Sequence, residues 1–201
     1  MRLVLATRNE HKLRELGEIL AGVELVPLSA GVELPPEDGE TFADNALIKA
    51  RAARSATGEA AIADDSGIEA RALGGAPGPR SARYAGEGAS DEENLAKLLR
   101  EVAAAGTDRA VAYVCALAYV DRAGAERVFY GRCEGELAAE RRGAGGFGYD
   151  PAFVPADTGP GDRRTMAELG PDEKHAISHR GRAARAFARH LGLACGGEPG
   201  P

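Results

Sequence analysis

The stretch AIADDSGIEA, residues 61–70, runs from apolar residues through two adjacent carboxylates and a Ser-Gly pair back to apolar residues. It predicts a buried strand that ends at Asp64 and Asp65. Two carboxylates about 4 Å apart repel each other by about 4 kcal/mol at an effective dielectric constant of about 20. The pair is tolerable if the side chains diverge, if one is protonated, or if a divalent cation lies between them. The alternative is a turn in which Asp65 and Ser66 merely cap backbone amides.

The segments on both sides alternate between strand and helix patterns. Apolar residues at helical spacing, with Thr41 as N-cap and Gly58 as terminator, predict one helix before the stretch. Two long apolar runs separated by DRAGA predict an antiparallel hairpin after it. The order predicts an α/β protein with a mixed sheet, flanking helices, a long antiparallel hairpin lobe and a deep cleft between two lobes. The predicted strands are 2–7, 23–28, 61–65, 109–120 and 126–137, and the predicted helices are 13–20, 42–56, 91–106 and a last one reaching His190.

Composition sets limits on the class of protein. The chain has 201 residues, of which 44% are hydrophobic and 28% charged, as in a soluble globular domain. Its net charge of −6 argues against a general nucleic-acid binder, and no apolar run is long enough to span a membrane. We expect a cytoplasmic protein with one domain over residues 1–195 and a disordered tail at 196–201. The widely spaced Cys115, Cys133 and Cys195 contain no CxxC pair and are interpreted as reduced thiols.

Two segments before the paired aspartates have patterns suited to an anionic ligand. TRNEHK, residues 7–12, lies at a strand-to-helix turn, where backbone amides attract anions and Lys12 adds a positive charge. Asn45 and Lys49 are four residues apart on the next helix, so both can reach the same ligand. The alternatives are a plainly capped helix in the first case and a solvated polar face in the second.

Two segments later in the chain are candidates for binding a flat ring. GAGGFGYDP, residues 143–151, contains a formal GxGxxG pattern, but no amphipathic helix follows it, so a dinucleotide site is rejected. Its glycines instead allow a ligand to approach the backbone, with Phe147 and Tyr149 available to stack on a ring. The segment KHAISHRGRA, residues 174–183, brings donors together near a helix start capped by Ser178. These donors are Lys174, His179 and Arg180.

Lysine usage separates these segments from the rest of the chain. Of the 25 basic residues 21 are arginines, and the four lysines are Lys12, Lys49, Lys97 and Lys174. Three of the four lie in the segments described above. A lysine is a compact point charge that binds phosphate well, so this distribution is consistent with a phosphate-bearing ligand, while chance is the better explanation for any single lysine.

Taken in order, TRNEHK, ETFADNALIKA, ADDSG, GGAPGPRSARYAG, GGFGYDPAFVP, TMAEL and KHAISHRG resemble the motifs of the inosine triphosphate pyrophosphatase family. The resemblance extends to about His190. It implies a homodimer that uses Mg²⁺ to hydrolyse non-standard purine nucleoside triphosphates (ITP, dITP and XTP) to the monophosphate and pyrophosphate. A pyrophosphatase that acts on modified pyrimidines or other nucleotides and a non-catalytic nucleotide- or RNA-binding module remain the alternatives.

The resemblance also implies roles for individual residues. Asp65 matches the general base, and Asp64 and Glu37 join it as metal ligands. Residues that match the triphosphate and sugar site are Thr7, Arg8, Asn9, Glu10, His11, Lys12, Asn45, Lys49 and Ser66. Those that match the nucleobase end are Phe147, Gly148, Tyr149, Asp150, Lys174, His179 and Arg180.

Overall fold

The computed structural model describes residues 1–193, and within that range six strands form one mixed sheet. The strands are β1 (Arg2–Leu5), β2 (Glu24–Pro27), β3 (Ala61–Ala70), β4 (Ala110–Val120), β5 (Glu126–Leu137) and β6 (Phe153–Pro155). The α-helices are α1 (Glu10–Ile19), α2 (Phe42–Thr57), α3 (Asp91–Ala105), α4 (Pro171–Ile177) and α5 (His179–His190). Cys195 and the tail at 196–201 lie outside the described residues.

The sheet has the strand order β2-β1-β3-β4-β5-β6. Strand β1 pairs in parallel with β2 and β3, whereas β5 and β6 pair antiparallel. Neighbours β4 and β5 are joined by the five residues 121–125, and a connection that short permits only an antiparallel pair. The predictions of an α/β class, a mixed sheet and a long hairpin are confirmed.

The chain divides into two compact units. The first consists of Met1–Asp65, Cys115–Gly131 and residues 180–193, and the second of Ser66–Val114 and Arg132–His179. Strands β3, β4 and β5 each contribute residues to both units. The single domain over 1–195 stays a prediction.

Each unit has its own apolar core. In the first unit, alternate residues of β1 and β3, such as Leu5 and Ile62, pack with Leu16 of α1 and Phe187 of α5. In the second unit, the buried face of α3 packs with Ile68 of β3 and with β6. Leu95, Leu98 and Val102 of α3 recur at the three- and four-residue spacing that places them on one side of the helix.

Strand β3 is longer than its sequence indicates. The prediction that it ends at Asp64 and Asp65 is wrong, because the strand runs through both aspartates to Ala70. Gly67 makes the continuation possible, since a Cβ atom there would collide with Ser81 of the short helix Gly78–Arg83. Ser81 Oγ also accepts a hydrogen bond from the amide of Ile68 at 2.9 Å. The sequence DDSG therefore lies inside a strand rather than at a turn.

The helix that carries Asn45 and Lys49 has the predicted ends. Thr41 and Asp44 form a reciprocal capping box at the start of α2, and Gly58 adopts the left-handed conformation just after its end. The single helix expected after Ser178 is preceded by one that was not predicted. This additional helix, α4, ends with Ser178 as its C-terminal cap, and α5 begins at His179.

None of the helices within residues 1–193 is both long and apolar enough to cross a membrane.

Candidate active site

The two aspartates of β3 have different partners. Successive side chains of a strand point to opposite faces, so Asp64 and Asp65 diverge although they are adjacent in sequence. Asp64 Oδ2 lies 3.0 Å from Lys12 Nζ and 3.3 Å from Arg180 Nε. Asp65 Oδ2 accepts a hydrogen bond from Asn45 Nδ2 at 3.1 Å, and its Oδ1 lies 3.6 Å from Lys49 Nζ. Divergence is thus how the chain tolerates two neighbouring carboxylates.

Asp64 is fully buried among positive charges. Burial by itself raises the pKa of the Asp64 carboxyl, but the charges of Lys12 and Arg180 outweigh it, so the pKa lies well below its ordinary value. Arg180 is itself buried, and its Nη1 donates to the buried carboxylate of Glu15 on α1. A chain of alternating charges thus joins α1, β3 and α5 inside the first unit, and it keeps Asp64 ionised.

Asp65 has the opposite electrostatic balance. Burial raises the pKa of its carboxyl, and the positive charge of Lys49 offsets only part of that, so the pKa lies above its ordinary value. Two neighbouring carboxyls whose pKa values are shifted apart are suited to different roles, as in enzymes that use a pair of acids. The electrostatics thus distinguish Asp65, whose pKa is raised, from Asp64, whose pKa is lowered so that it is held as a fixed charge.

Lys49 joins Asp65 to a second carboxylate. Its Nζ lies 2.6 Å from Oε1 of Glu37 as well as 3.6 Å from Oδ1 of Asp65. Burial lowers the pKa of Lys49, but the negative charges of Asp65 and Glu37 outweigh that effect, and the pKa is raised. The trio contains two carboxylates and one ammonium group, so it carries net negative charge when all three are ionised.

The donors around Lys49 fit a hard divalent cation. Carboxylate oxygens are the ligands that Mg²⁺ prefers, and Mg²⁺ is usually held by one or two carboxylates together with water and substrate phosphates. Glu37 and Asp65 supply two such groups within reach of one ammonium nitrogen. Across residues 1–193 there is no group of three or more His, Cys, Asp or Glu side chains arranged to hold a metal.

The segment 7–12 forms the predicted strand-to-helix turn. Asn9 caps α1, and its Oδ1 accepts hydrogen bonds from the amides of His11 and Lys12 at 2.9 and 3.2 Å. Thr7 Oγ1 accepts from the amide of Asn9 at 3.2 Å, and Glu10 is the first residue of the helix. The turn directs Lys12 toward β3, where its Nζ meets Asp64.

Arg8 and His11 contact groups other than the aspartates. Arg8 Nη2 donates to the carbonyl oxygens of Ser29 and Val32 at 3.2 and 2.5 Å, so it ties the turn to the segment after β2. His11 Nδ1 lies 2.9 Å from Arg14 Nη2 on the exposed side of α1. Ser66 follows Asp65 on β3 and is half-buried.

A second cluster lies in the second unit around Asp150, and we call it the Asp150 cluster. The buried Asp150 carboxylate accepts from Lys174 Nζ at 2.8 Å and from the amide of Phe147 at 3.0 Å, both at Oδ2. Its Oδ1 accepts from Tyr113 Oη at 3.0 Å. Lys174 Nζ also lies 5.3 Å from the centroid of the Phe147 ring. One carboxylate therefore fixes an ammonium group and an aromatic residue side by side.

The glycine-rich loop is fitted closely around this carboxylate. A Cβ atom at Gly146 would overlap Oδ2 of Asp150, and the positive φ of 71° at Gly146 is strained for any other residue. The amide of Gly148 donates to Asp91 at 2.8 Å, and Tyr149 Oη donates to the carbonyl of Ser81 at 2.7 Å. The hydroxyl of Tyr149 therefore has a structural partner within the second unit.

His179 and Arg180 are adjacent in sequence but have different surroundings. The His179 ring stacks on Tyr113 with centroids 4.5 Å apart and an interplanar angle of 13°, within the second unit. Arg180 belongs to the first unit, where its guanidinium binds Glu15 and Asp64. Its role at the nucleobase end stays a prediction.

Two residues of these clusters were not singled out from the sequence. Glu15 lies one helical turn after Lys12 on α1, and that spacing was the available signal for a shared face. Tyr113 lies in the apolar run of β4, where nothing local distinguishes it from a core residue.

Comparison with known proteins agrees with this architecture. The dITP/XTP pyrophosphatase of Frankia alni is 52% identical over 201 residues, covering 95% of this chain and 97% of that protein. The dITP/XTP pyrophosphatase of Geobacter sulfurreducens is 47% identical over 196 residues, covering 95% and 96%. The solved structure of a HAM1 protein from Coxiella burnetii matches with a TM-score of 0.86 at 42% identity, covering 96% of this chain and all of that one.

The chain is an α/β protein in which two adjacent buried aspartates of β3 each contact a lysine of a different helix. The sequence model of the Ham1 family matches residues 3–190. The chain belongs to the Ham1 family.

Proposed function

We propose that this protein hydrolyses the non-standard purine nucleoside triphosphates dITP, ITP and XTP to the corresponding monophosphate and pyrophosphate. Membership of the Ham1 family and relatives near 50% identity that carry the name dITP/XTP pyrophosphatase support this function. The observation that carries it is the pair of diverging aspartates on β3, each in contact with a different lysine.

Asp65 is the general base of this reaction. Its buried carboxylate is held in place by Asn45 and Lys49, and a positioned carboxylate can remove a proton from water. The water attacks the α-phosphorus, its proton passes to an Asp65 oxygen, and the bond from the α-phosphorus to the bridging oxygen breaks to release pyrophosphate. Asn45 donates to Oδ2 of Asp65 and so orients the carboxylate for this transfer.

The lysines and the start of α1 bind the triphosphate. Lys12 and Lys49 each have three N–H donors, so each can keep its carboxylate partner and still donate to a phosphate oxygen. The N-terminus of α1 adds the positive end of the helix dipole near Lys12. These charges offset the substrate's negative charge locally in a protein whose net charge is −6.

Glu37 and Asp65 are the residues that would hold Mg²⁺. When bound there, the ion would neutralise charge on the phosphate oxygens. Asp64, which contacts two cations, is better suited to holding Lys12 and Arg180 in place than to being a ligand. The proposed Mg²⁺ ligands are therefore Glu37 and Asp65, without Asp64, which the resemblance of the sequence also implied.

The Asp150 cluster and His179 select the base. Lys174 only donates hydrogen bonds, and His179 can donate from its ring, so they suit the acceptor oxygen at the 6-position of hypoxanthine or xanthine. Adenine places an amino donor at the same position and leaves both donors unpaired. Sites that depend on such hydrogen bonds discriminate by roughly 10⁴ or more.

Product analysis tests this function. The purified protein should convert ITP and XTP to monophosphate and pyrophosphate in the presence of Mg²⁺, with ATP cleaved far more slowly. Release of inorganic phosphate and IDP from ITP would refute the position of cleavage. Equal rates for ITP, XTP and ATP would refute the selection of the base.

The quaternary structure and location are part of the same proposal. We infer a homodimer, on the resemblance of the motifs, and a location in the cytoplasm, on the soluble globular composition of the chain. Light scattering of the purified protein distinguishes a dimer from a monomer directly.

A further inference from the structure

Tyr113, in the second unit, contacts His179 and Asp150, and Asp150 in turn holds Lys174. Lys174 and His179 are the residues proposed to read the base. Tyr113 lies on β4, it is buried, and its hydroxyl donates to Asp150 Oδ1 at 3.0 Å. One face of its ring stacks on His179. It also stacks on Phe153 of β6 with centroids 4.4 Å apart at an interplanar angle of 29°. Strand and core therefore fix this ring from more than one direction.

The hydroxyl of Tyr113 affects how Asp150 holds its other partners. Lys174 and the amide of Phe147 bind Oδ2 of this carboxylate, while Tyr113 binds Oδ1. A carboxylate held at both oxygens cannot rotate about its Cβ–Cγ bond without breaking a buried hydrogen bond. The direction of the Lys174 ammonium group therefore depends on a tyrosine that is separate from it in sequence and is proposed to touch no substrate.

The ring of Tyr113 affects His179 in a different way. Two rings 4.5 Å apart and nearly parallel restrict the imidazole to one plane. Since a hydrogen bond from an imidazole N–H is directional, fixing the plane of the ring also fixes the direction of donation. One side chain thus positions two donors by two separable contacts, a hydrogen bond and a ring stack.

We infer that Tyr113 is a positioning residue that sets base specificity by aligning Lys174, through Asp150, and His179 in a common arrangement. The inference rests on the proposed function, because it assigns Lys174 and His179 to the 6-position of the purine. It concerns selection of the base and leaves the phosphate chemistry at Asp65 unchanged.

Tyr113→Phe separates the two contacts. It removes the hydroxyl and keeps the ring, so the stacks on His179 and Phe153 remain while Asp150 loses one donor. We expect KM for ITP to rise about tenfold, the ITP-to-ATP ratio of kcat/KM to fall about tenfold, and kcat for ITP at saturation to stay within about threefold of wild type. Tyr113→Leu removes both contacts and should lower the ITP-to-ATP ratio further.

Tyr119→Phe is the matched control. Tyr119 lies on the same strand, and its ring packs near Phe187 in the first unit with centroids 5.3 Å apart. The same hydroxyl removal there should leave the ITP-to-ATP ratio unchanged. Because each ratio is measured on one preparation, it does not depend on the fraction of variant that is correctly folded.

The outcomes separate this inference from the function on which it rests. If the wild-type protein fails to release pyrophosphate from ITP, the proposed function is refuted and the inference falls with it. If wild type prefers ITP and Tyr113→Phe keeps the same ITP-to-ATP ratio, only the inference is refuted. An equal loss of kcat/KM for every nucleotide, with a lower unfolding temperature, would show a purely structural role and also refute it.

Discussion

Replacing Asp64 by asparagine should lower the stability of the protein, whereas replacing the adjacent Asp65 by asparagine should lower its activity and leave its stability nearly unchanged. Asp64→Asn leaves the buried Arg180 and the half-buried Lys12 without their shared carboxylate. Arg180 keeps its contact with Glu15, but Lys12 loses its carboxylate partner and Arg180 loses one of two. Removing one partner of a buried ion pair costs about 3–5 kcal/mol, and we expect the lower end of that range here. At about 2–4 °C per kcal/mol for a chain of this size, the unfolding temperature should fall by at least roughly 6 °C.

Asp65→Asn should leave stability nearly unchanged. The raised pKa of Asp65 means that the folded protein disfavours its ionised form, so a neutral side chain of the same shape removes that cost. Lys49 loses one attraction but keeps its 2.6 Å contact with Glu37. We expect a change in the free energy of unfolding below about 1 kcal/mol. Activity should nevertheless fall by about 10²–10⁴, the usual contribution of a general base.

Thermal unfolding followed by circular dichroism and pyrophosphate release from ITP are measured on the same preparations. The reasoning fails if Asp65→Asn unfolds at a lower temperature than Asp64→Asn. It also fails if Asp65→Asn retains turnover within a factor of about ten of wild type. Either result would mean that the different partners of the two carboxylates do not determine what each one does.

Three further predictions follow from the same contacts. Glu37→Gln should raise the Mg²⁺ concentration that gives half-maximal activity about tenfold. Glu59→Gln, which removes an exposed ion pair with Arg122, should leave that concentration unchanged. A Mg²⁺ titration at a fixed ITP concentration tests both expectations. The pKa of Asp64 is lowered by folding, so its stabilisation is present above its ordinary pKa of 3.8 and is lost as pH falls below it. The difference in unfolding free energy between wild type and Asp64→Asn should therefore shrink from about pH 7 to about pH 3 in urea titrations, and a constant difference would contradict this. Thr41→Ala and Ser90→Ala each remove a helix capping box, and each should lower the free energy of unfolding by about 1 kcal/mol. Only Thr41→Ala should also raise KM for ITP, because Thr41 caps the helix that carries Asn45 and Lys49. Equal effects of the two variants on KM would count against the role of α2.

Local signals in the sequence predicted the elements that depend on local interactions. The ends of α2 follow from a capping box and a left-handed glycine, which are contacts within a few residues. The placement of Asn45 and Lys49 on one face follows from their spacing, and both contact Asp65. The hairpin follows from two apolar runs and a short connection.

Contacts between distant segments explain what the sequence could not predict. DDSG has the composition of a turn, but β3 continues because Lys12 and Arg180, far away in sequence, compensate the charge of Asp64. The importance of Glu15 is equally non-local, since its partner Arg180 lies 165 residues later. Tyr113 gives no signal at all in a strand pattern, because its contacts with Asp150 and His179 depend on the fold of the second unit.

The alternation of side chains along β3 has a consequence for how this segment can change during evolution. Deleting or inserting a single residue between Ala61 and Asp64 would move the following side chains to the opposite face of the strand and place each acid on the side that the other occupies. The proton acceptor would then face Lys12 and Arg180, and the fixed charge would face Lys49. Other apolar residues can therefore replace those that precede the aspartates, whereas the number of residues in this part of the strand cannot change.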